Sequence, residues 1–240
     1  MCVIVASLKG DRIPDSIVEC MFQANPDGAG IACAAGGKVH YRRGLMKLGQ
    51  VRKALSQTPN GAPFVAHFRI ATVGGVQPDL CHPFLVTYLS RASLTGSVKS
   101  PVLFHNGHWN GWQDALLNST INMGLTVPDG PLSDSRAIAV LQARHGRIAD
   151  LLPKDQRTVI LDPNGAMHFT GGWSKIDDPA LEDVWVSNLH WRPIPLGNGK
   201  KDAKQAYLVR DKRRGKRDDW DRIWLGSDTA EVRKAIGGDF

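Results

Sequence analysis

Two tight turns narrow the folds open to this chain. Gly36-Gly37 joins the strand-like runs 30–33 and 38–41, and Asp162-Pro163-Asn164-Gly165 joins 158–161 and 166–169. Turns this short reverse the chain between neighbouring strands, so each pair must be antiparallel. Helical spacing lies before, between and after them. Ile17, Val18, Met21 and Phe22 follow the opening Pro14-Asp15-Ser16, and Asn25-Pro26-Asp27-Gly28 ends that segment. Helices are predicted over 48–56, with Val51 and Leu55 on one face, and over 112–123. Ser133 is an N-cap for a further helix whose face is Ala137, Ile138, Val140 and Leu141, stopped by Gly146. Single apolar runs at 3–6, 64–68, 101–105 and 184–187 add strands, and 86–89 is read as another. Antiparallel strands with interspersed helices give an α+β fold. We read one domain over 1–195 and a basic extension over 196–240, ending in a short helix around 231–235.

At 240 residues, with 42% hydrophobic and 22% charged side chains, the chain can bury a core and is too apolar for disorder. No apolar run approaches the roughly 18 residues that span a bilayer, so no membrane partner is expected. No basic stretch precedes the N-terminal apolar run, and a cleaved leader would take Cys2 with it; a cytoplasmic protein is expected. Cys2, Cys20, Cys33 and Cys81 form no C-x-x-C pair and are read as reduced thiols. Net charge is +7, and Lys200 to Arg222 supplies +5 of it through ten Lys or Arg against five Asp. The interleaved acids favour a solvated or protein-docking segment over a nucleic-acid contact.

Chemistry is concentrated where polar residues end apolar runs. Met1-Cys2-Val3-Ile4-Val5-Ala6 puts a thiol directly after the initiator. With Met1 removed, Cys2 would carry both a nucleophilic sulfur and an α-amine with an ordinary pKa near ~8. The other such segments are His67-Phe68-Arg69-Ile70-Ala71-Thr72, His105-Asn106-Gly107 and Ser133-Asp134-Ser135. An Asn amide with a backbone N–H freed by Gly suits an oxyanion, an Arg suits a carboxylate, and an Asp suits an ammonium. Each piece alone has an ordinary explanation: a turn for Asn106-Gly107, the helix macrodipole for Asp134.

Together and in this order, the pieces resemble the glutaminase domain of class II glutamine amidotransferases, in the N-terminal nucleophile (Ntn) hydrolase superfamily. The resemblance rests on Met1-Cys2 before an apolar strand, the segment 25–32, His67-x-Arg69-x-Ala71-Thr72, His82-Pro83-Phe84, His105-Asn106-Gly107 and Ser133-Asp134-Ser135. It spans roughly residues 2 to 190. It implies a four-layer αββα sandwich and hydrolysis of the side-chain amide of glutamine, or of a γ-glutamyl compound. It further implies Cys2 as nucleophile with its own α-amine as base, Asn106 and Gly107 as the oxyanion hole, Arg69 and Thr72 on the α-carboxylate, and Asp134 on the ammonium. Ile70 stands where many members carry an aromatic residue, and Val73-Gly74 where they carry His-Gly.

The family also implies a synthase that accepts the ammonia. Too little chain follows the resemblance for such a domain, so a separate subunit or a freestanding amidohydrolase is expected. No cofactor is expected, and no metal, because His40, His108, His145, His168 and His190 form no tight ligand pair with a carboxylate. The competing reading is a non-catalytic binding protein of the same fold that works through its basic segment.

Overall fold

The computed structural model describes residues 1–71, 75–124, 126–146 and 148–192. Thr72 and the basic extension lie outside the described residues. In chain order the elements are β1 (Val3–Ser7), α1 (Asp15–Ala24), β2 (Ala29–Ala35), β3 (Lys38–Leu45), α2 (Leu48–Ser56), β4 (Phe64–Phe68), β5 (Phe84–Leu85), β6 (Thr95–Val98), β7 (Val102–Asn106), α3 (Trp112–Met123), α4 (Asp134–His145), β8 (Arg157–Leu161), β9 (Met167–Thr170), β10 (Ser174–Lys175) and β11 (Val184–Val186). They build a seven-stranded sheet, ordered β10-β11-β1-β4-β2-β3-β6, and a four-stranded sheet, β5-β7-β8-β9. Every pairing is antiparallel.

The mixed, antiparallel reading of the sequence holds, and α2, α3 and α4 begin and end at the residues predicted. Ser133 Oγ accepts from Arg136 N at 3.2 Å, and Gly146 closes α4 with φ 65°. The strand expected over 86–89 is a correction. Strand β5 ends at Leu85; Val86 N still donates to Pro101 O at 3.0 Å, and the backbone then turns, with Thr87 N donating to Leu85 O and Ser90 N to Thr87 O.

Strand parity explains how the sheets meet. Ile4 and Ala6 of β1, Val65 of β4, Val102 and Phe104 of β7, and Val159 and Leu161 of β8 belong to one buried cluster contributed by both sheets. Alternate residues share a face. Cys2 therefore continues the inward row of Ile4 and Ala6, and His67 that of Val65. Asn106 continues the row of Val102 and Phe104, while Leu103 and His105 point the other way. On that outer side Phe84, Leu103 and Ile160 pack on Ile138 and Ala139 of α4, and α3 packs on α4. Against the seven-stranded sheet, α2 lies on β2 and β3, with α1 beside it. Each fully buried Leu, Ile or Phe contributes on the order of 2 kcal/mol, far more than any single polar contact between the sheets, so the apolar layers set the frame on which the polar residues are hung.

Two further features place the strand ends. Gly30 sits opposite His67 in the β2–β4 register, and a Cβ there would collide with the carbonyl of His82. Its absence lets residue 82 cross the sheet and bring its ring against His67, with centroids 4.0 Å apart. Arg136, 1% exposed, donates to the carbonyls of Ser90, Pro131 and Asp129 at 2.7 to 2.9 Å, which ties the flanking loops to the start of α4.

Candidate active site

Cys2 stands half-buried just before β1, and its sulfur meets one residue twice. Sγ lies 3.5 Å from the carbonyl of Ile70 and accepts from Ile70 N at 3.4 Å. The thiol can donate to the first, and the thiolate can accept from the second. Burial pushes the thiol pKa up; the Ile70 N–H, the chain's terminal amine and the Arg69 guanidinium pull it back, and the Asp134 carboxylate opposes them. The charges of Arg69 and Asp134 thus both act on this sulfur, although they come from different sheets' surroundings.

Arg69 is held by its backbone. Its N–H donates to Gly28 O at 2.8 Å, its carbonyl accepts from Asp27 N at 3.0 Å, and Asp27 Oδ2 accepts from Ala71 N at 2.8 Å. The Asn25-Pro26-Asp27-Gly28 turn that ends α1 therefore doubles as the support for 69–71. The guanidinium is buried beside Cys2, His67 and His82, and its charge helps hold both histidines neutral.

Asn106 and Gly107 come from the end of β7. Asn106 Nδ2 donates to Ser187 Oγ at 2.9 Å, and the same oxygen accepts from Ile4 N at 2.9 Å. Asn188 Nδ2 donates to the carbonyl of Cys2 at 2.7 Å. Residues 187–188, following β11, thus touch both Cys2 and Asn106. Gly107 has no room for a side chain: a Cβ would lie 2.7 Å from Gln156 Cγ and 2.8 Å from His105 Nε2.

Behind that glycine runs a chain of side chains joined by Gln156, a residue that the sequence did not single out. His108 O can only accept, so Gln156 Nε2, 2.7 Å away, is the donor and Oε1 faces His105. His105 Nε2, 2.8 Å from that oxygen, must carry the proton, and Nδ1 then accepts from Ser135 Oγ at 2.9 Å. Burial lowers the His105 pKa and keeps this neutral tautomer. Asp134 closes the network: Oδ2 accepts from Trp109 N at 3.1 Å and lies 3.5 Å from His108 Nδ1, while Oδ1 accepts from Ser135 N at 2.8 Å. Besides any role towards a ligand, Asp134 therefore fixes the turn that follows Gly107. Gln156, Ser187 and Asn188 are isolated polar residues with no telling spacing, and only their burial, at 8% exposure or less, singles them out.

The fold is shared with solved structures that include an amidotransferase. Glutamine phosphoribosylpyrophosphate amidotransferase from B. subtilis, complexed with ADP and GMP, matches with a TM-score of 0.50 and 21% identity over 78% of this chain. A structure described as the allosteric regulatory enzyme of purine biosynthesis matches with a TM-score of 0.52 and 19% identity over the same share. The chain spans 41% of the length of each. No protein-family model matches the sequence, and no curated protein matches it. At this identity the likeness speaks for the fold alone.

Within that fold, the structure brings the sequence-predicted Cys2, Arg69, Asn106, Gly107 and Asp134 to one end of the two sheets, and Thr72 lies outside the described residues. Among the described residues no group of three or more His, Cys, Asp or Glu is arranged to hold a metal ion. No described helix is long and apolar enough to cross a membrane.

Proposed function

We propose that this chain is a class II glutamine amidotransferase-like amidohydrolase. It hydrolyses the side-chain amide of glutamine, or of a γ-glutamyl compound, once Met1 has been removed. The observation that carries this reading is the Cys2 sulfur on the Ile70 N–H, under the charges of both Arg69 and Asp134. The bare α-amine takes the thiol proton, and sulfur attacks the amide carbon. The carbonyl oxygen becomes an oxyanion received by the Asn106 amide and the Gly107 N–H. Collapse breaks the C–N bond, and the amine's proton leaves with the nitrogen as ammonia. Water then attacks the Cys2 thioester, releases the acid and restores the thiol. Arg69, with Thr72, takes the α-carboxylate, and Asp134 the ammonium.

The shared fold and the two facing sheets support a four-layer αββα sandwich over residues 1–195, with 196–240 as an added basic segment. The ammonia passes to a separate synthase subunit or is simply released, in the cytoplasm. No metal or cofactor takes part in these steps.

Intact mass and peptide mapping of purified protein should show Met1 missing, and a glutamine-like electrophile should label Cys2 rather than Cys20, Cys33 or Cys81. Cys2→Ala should fold normally and reduce ammonia release from glutamine to background. A retained Met1, or equal activity in Cys2→Ala, ends the enzyme reading. If both proteins are inert and both bind DNA with salt-dependent affinity, the protein is a binding module instead.

A further inference from the structure

Ser187 occupies an unusual place in the β1–β11 ladder. Val5 pairs with Val186, so Ile4 and Ser187 are the next partners, and Ser187 N donates to Ile4 O at 2.9 Å. In an antiparallel hydrogen-bonded pair the reciprocal bond would run from Ile4 N to the carbonyl of residue 187. Here it runs to the Ser187 hydroxyl instead, at 2.9 Å. The side chain has replaced its own carbonyl, and the main chain is free to leave the sheet towards Asn188.

A strand-end cap would need only that bond. The same oxygen uses its other lone pair for Asn106 Nδ2, 2.9 Å away and arriving from the four-stranded sheet. Asn188 Nδ2, a donor because it bonds the Cys2 carbonyl, stands 3.4 Å from the same hydroxyl. The two short contacts, from Ile4 N and Asn106 Nδ2, take both lone pairs of Ser187 Oγ, and the Asn188 amide, at 3.4 Å, has the Cys2 carbonyl as its acceptor instead. Asn106 is 3% exposed and Ser187 2%, so water has little part in these bonds.

We propose that Ser187 is a positioning residue for amide hydrolysis: it holds one N–H of the Asn106 side chain so that the other is presented to the oxyanion formed at Cys2. Ser187 touches neither sulfur nor substrate in this scheme. It links the strand that carries the nucleophile to the side chain that receives the charge, so the two sheets keep one spacing across the reacting atoms. The proposal rests on the amidohydrolase reading given above.

The test compares two reactions of the same thiol. Amide hydrolysis passes through an oxyanion, whereas alkylation of Cys2 by iodoacetamide is a displacement that does not need one. Steady-state hydrolysis of glutamine and the rate of Cys2 alkylation are measured for wild type, Ser187→Ala, Ser187→Thr, Asn106→Ala and the Ser187→Ala/Asn106→Ala double variant. Ser187→Ala should lower kcat about tenfold or more, with KM and the alkylation rate within about twofold of wild type. Ser187→Thr, which keeps the oxygen, should recover most of kcat, and the double variant should be no slower than Asn106→Ala alone. Should Ser187→Ala not fold, the near-isosteric Ser187→Cys, a poor acceptor, should show the same split between kcat and alkylation. Equal losses in hydrolysis and alkylation would mean general damage and overturn the proposal, as would full kcat without the hydroxyl or additive losses in the double variant. A wild type that releases no ammonia overturns the amidohydrolase reading itself, and this proposal with it; an active wild type with an indifferent Ser187 overturns this proposal alone.

Discussion

The two sheets hold their ends of the site in different ways. On the seven-stranded sheet, Cys2 and Arg69 are held largely by main-chain groups, Ile70 N on the sulfur and the Arg69 backbone on Asp27 and Gly28, with one side chain, Asn188, on the Cys2 carbonyl. On the four-stranded sheet, residues 107–109 leave β7 for an exposed loop with no ladder to continue. Their backbone is fixed by side chains, through Asp134, Ser135, His105 and Gln156 in series. A strand can present a nucleophile as part of its own pairing. A loop N–H can be aimed only if something outside the loop holds it, because an unpaired backbone group otherwise turns to water. The nucleophile side should therefore tolerate side-chain changes around it, and the oxyanion side should not.

The largest test of that contrast is Asn106→Ala. Removing one oxyanion donor costs about 10²–10³-fold in kcat, with KM little changed because the ground-state amide uses the donor weakly. Cys2 alkylation should stay near the wild-type rate. Loss of alkylation together with hydrolysis would show that the two sides are not separable.

Next in size is an effect of pH, and it falls on the inward face of the seven-stranded sheet. The rings of His67 and His82 meet with centroids 4.0 Å apart and planes tilted by 36°, and neither ring nitrogen of either residue makes a well-formed hydrogen bond. His105, on the other side, has both nitrogens bonded. Burial, with the Arg69 charge, brings the His67 pKa down to about 3, and burial beside its neighbours puts His82 well below its ordinary range. Both are neutral in the fold and protonate in the unfolded chain below its pKa of roughly 6.5. Their contribution is complete above that value and is lost as pH falls towards the folded pKa, because the unfolded state then binds more protons. For His67 the loss between pH 6.5 and 4 is on the order of 3 kcal/mol. Urea unfolding across this range should show it, and His67→Phe should flatten the slope. An equal slope in both proteins would place the acid sensitivity elsewhere.

The same contrast marks what was legible in the sequence. Helices α2, α3 and α4 match their predicted bounds, and for α4 the reason is plain, because the cap Ser133 and the breaker Gly146 act locally. Cys2, Arg69, Asn106 and Asp134 stood at strand or helix ends, where motif order gave them away. Strands β6 and β10 went unread because they carry little buried surface: three of the four β6 residues are exposed, so no alternation marks it. Gln156, Ser187 and Asn188 were invisible for another reason. The bonds that tie them to the site reach 48 to 186 residues along the sequence, and a single buried polar residue has no period to detect.

The smallest effect expected is also the most specific to the loop side. Gln156→Glu keeps the shape of the side chain and still accepts from His105, but an ionised carboxylate cannot donate to the His108 carbonyl. That carbonyl, one residue after Gly107, loses its donor and faces a negative charge instead. A lost positioning bond is worth about 1 kcal/mol, or roughly fivefold in kcat, with KM unchanged. The new charge should also raise the His105 pKa from its depressed value, since the imidazolium gains a counter-ion in a buried site. Protonation would put a second N–H on Nδ1, so Ser135 Oγ could only accept there and its proton would turn to Asp134 Oδ1, 3.3 Å away. Hydrolysis in Gln156→Glu should consequently fall on the acid side at a higher pH than in wild type, and a ring-carbon NMR titration of His105 should move with it. A kcat loss with an unmoved His105 would confine Gln156 to holding His108; a moved His105 with unchanged kcat would show that the loop keeps its aim without this network.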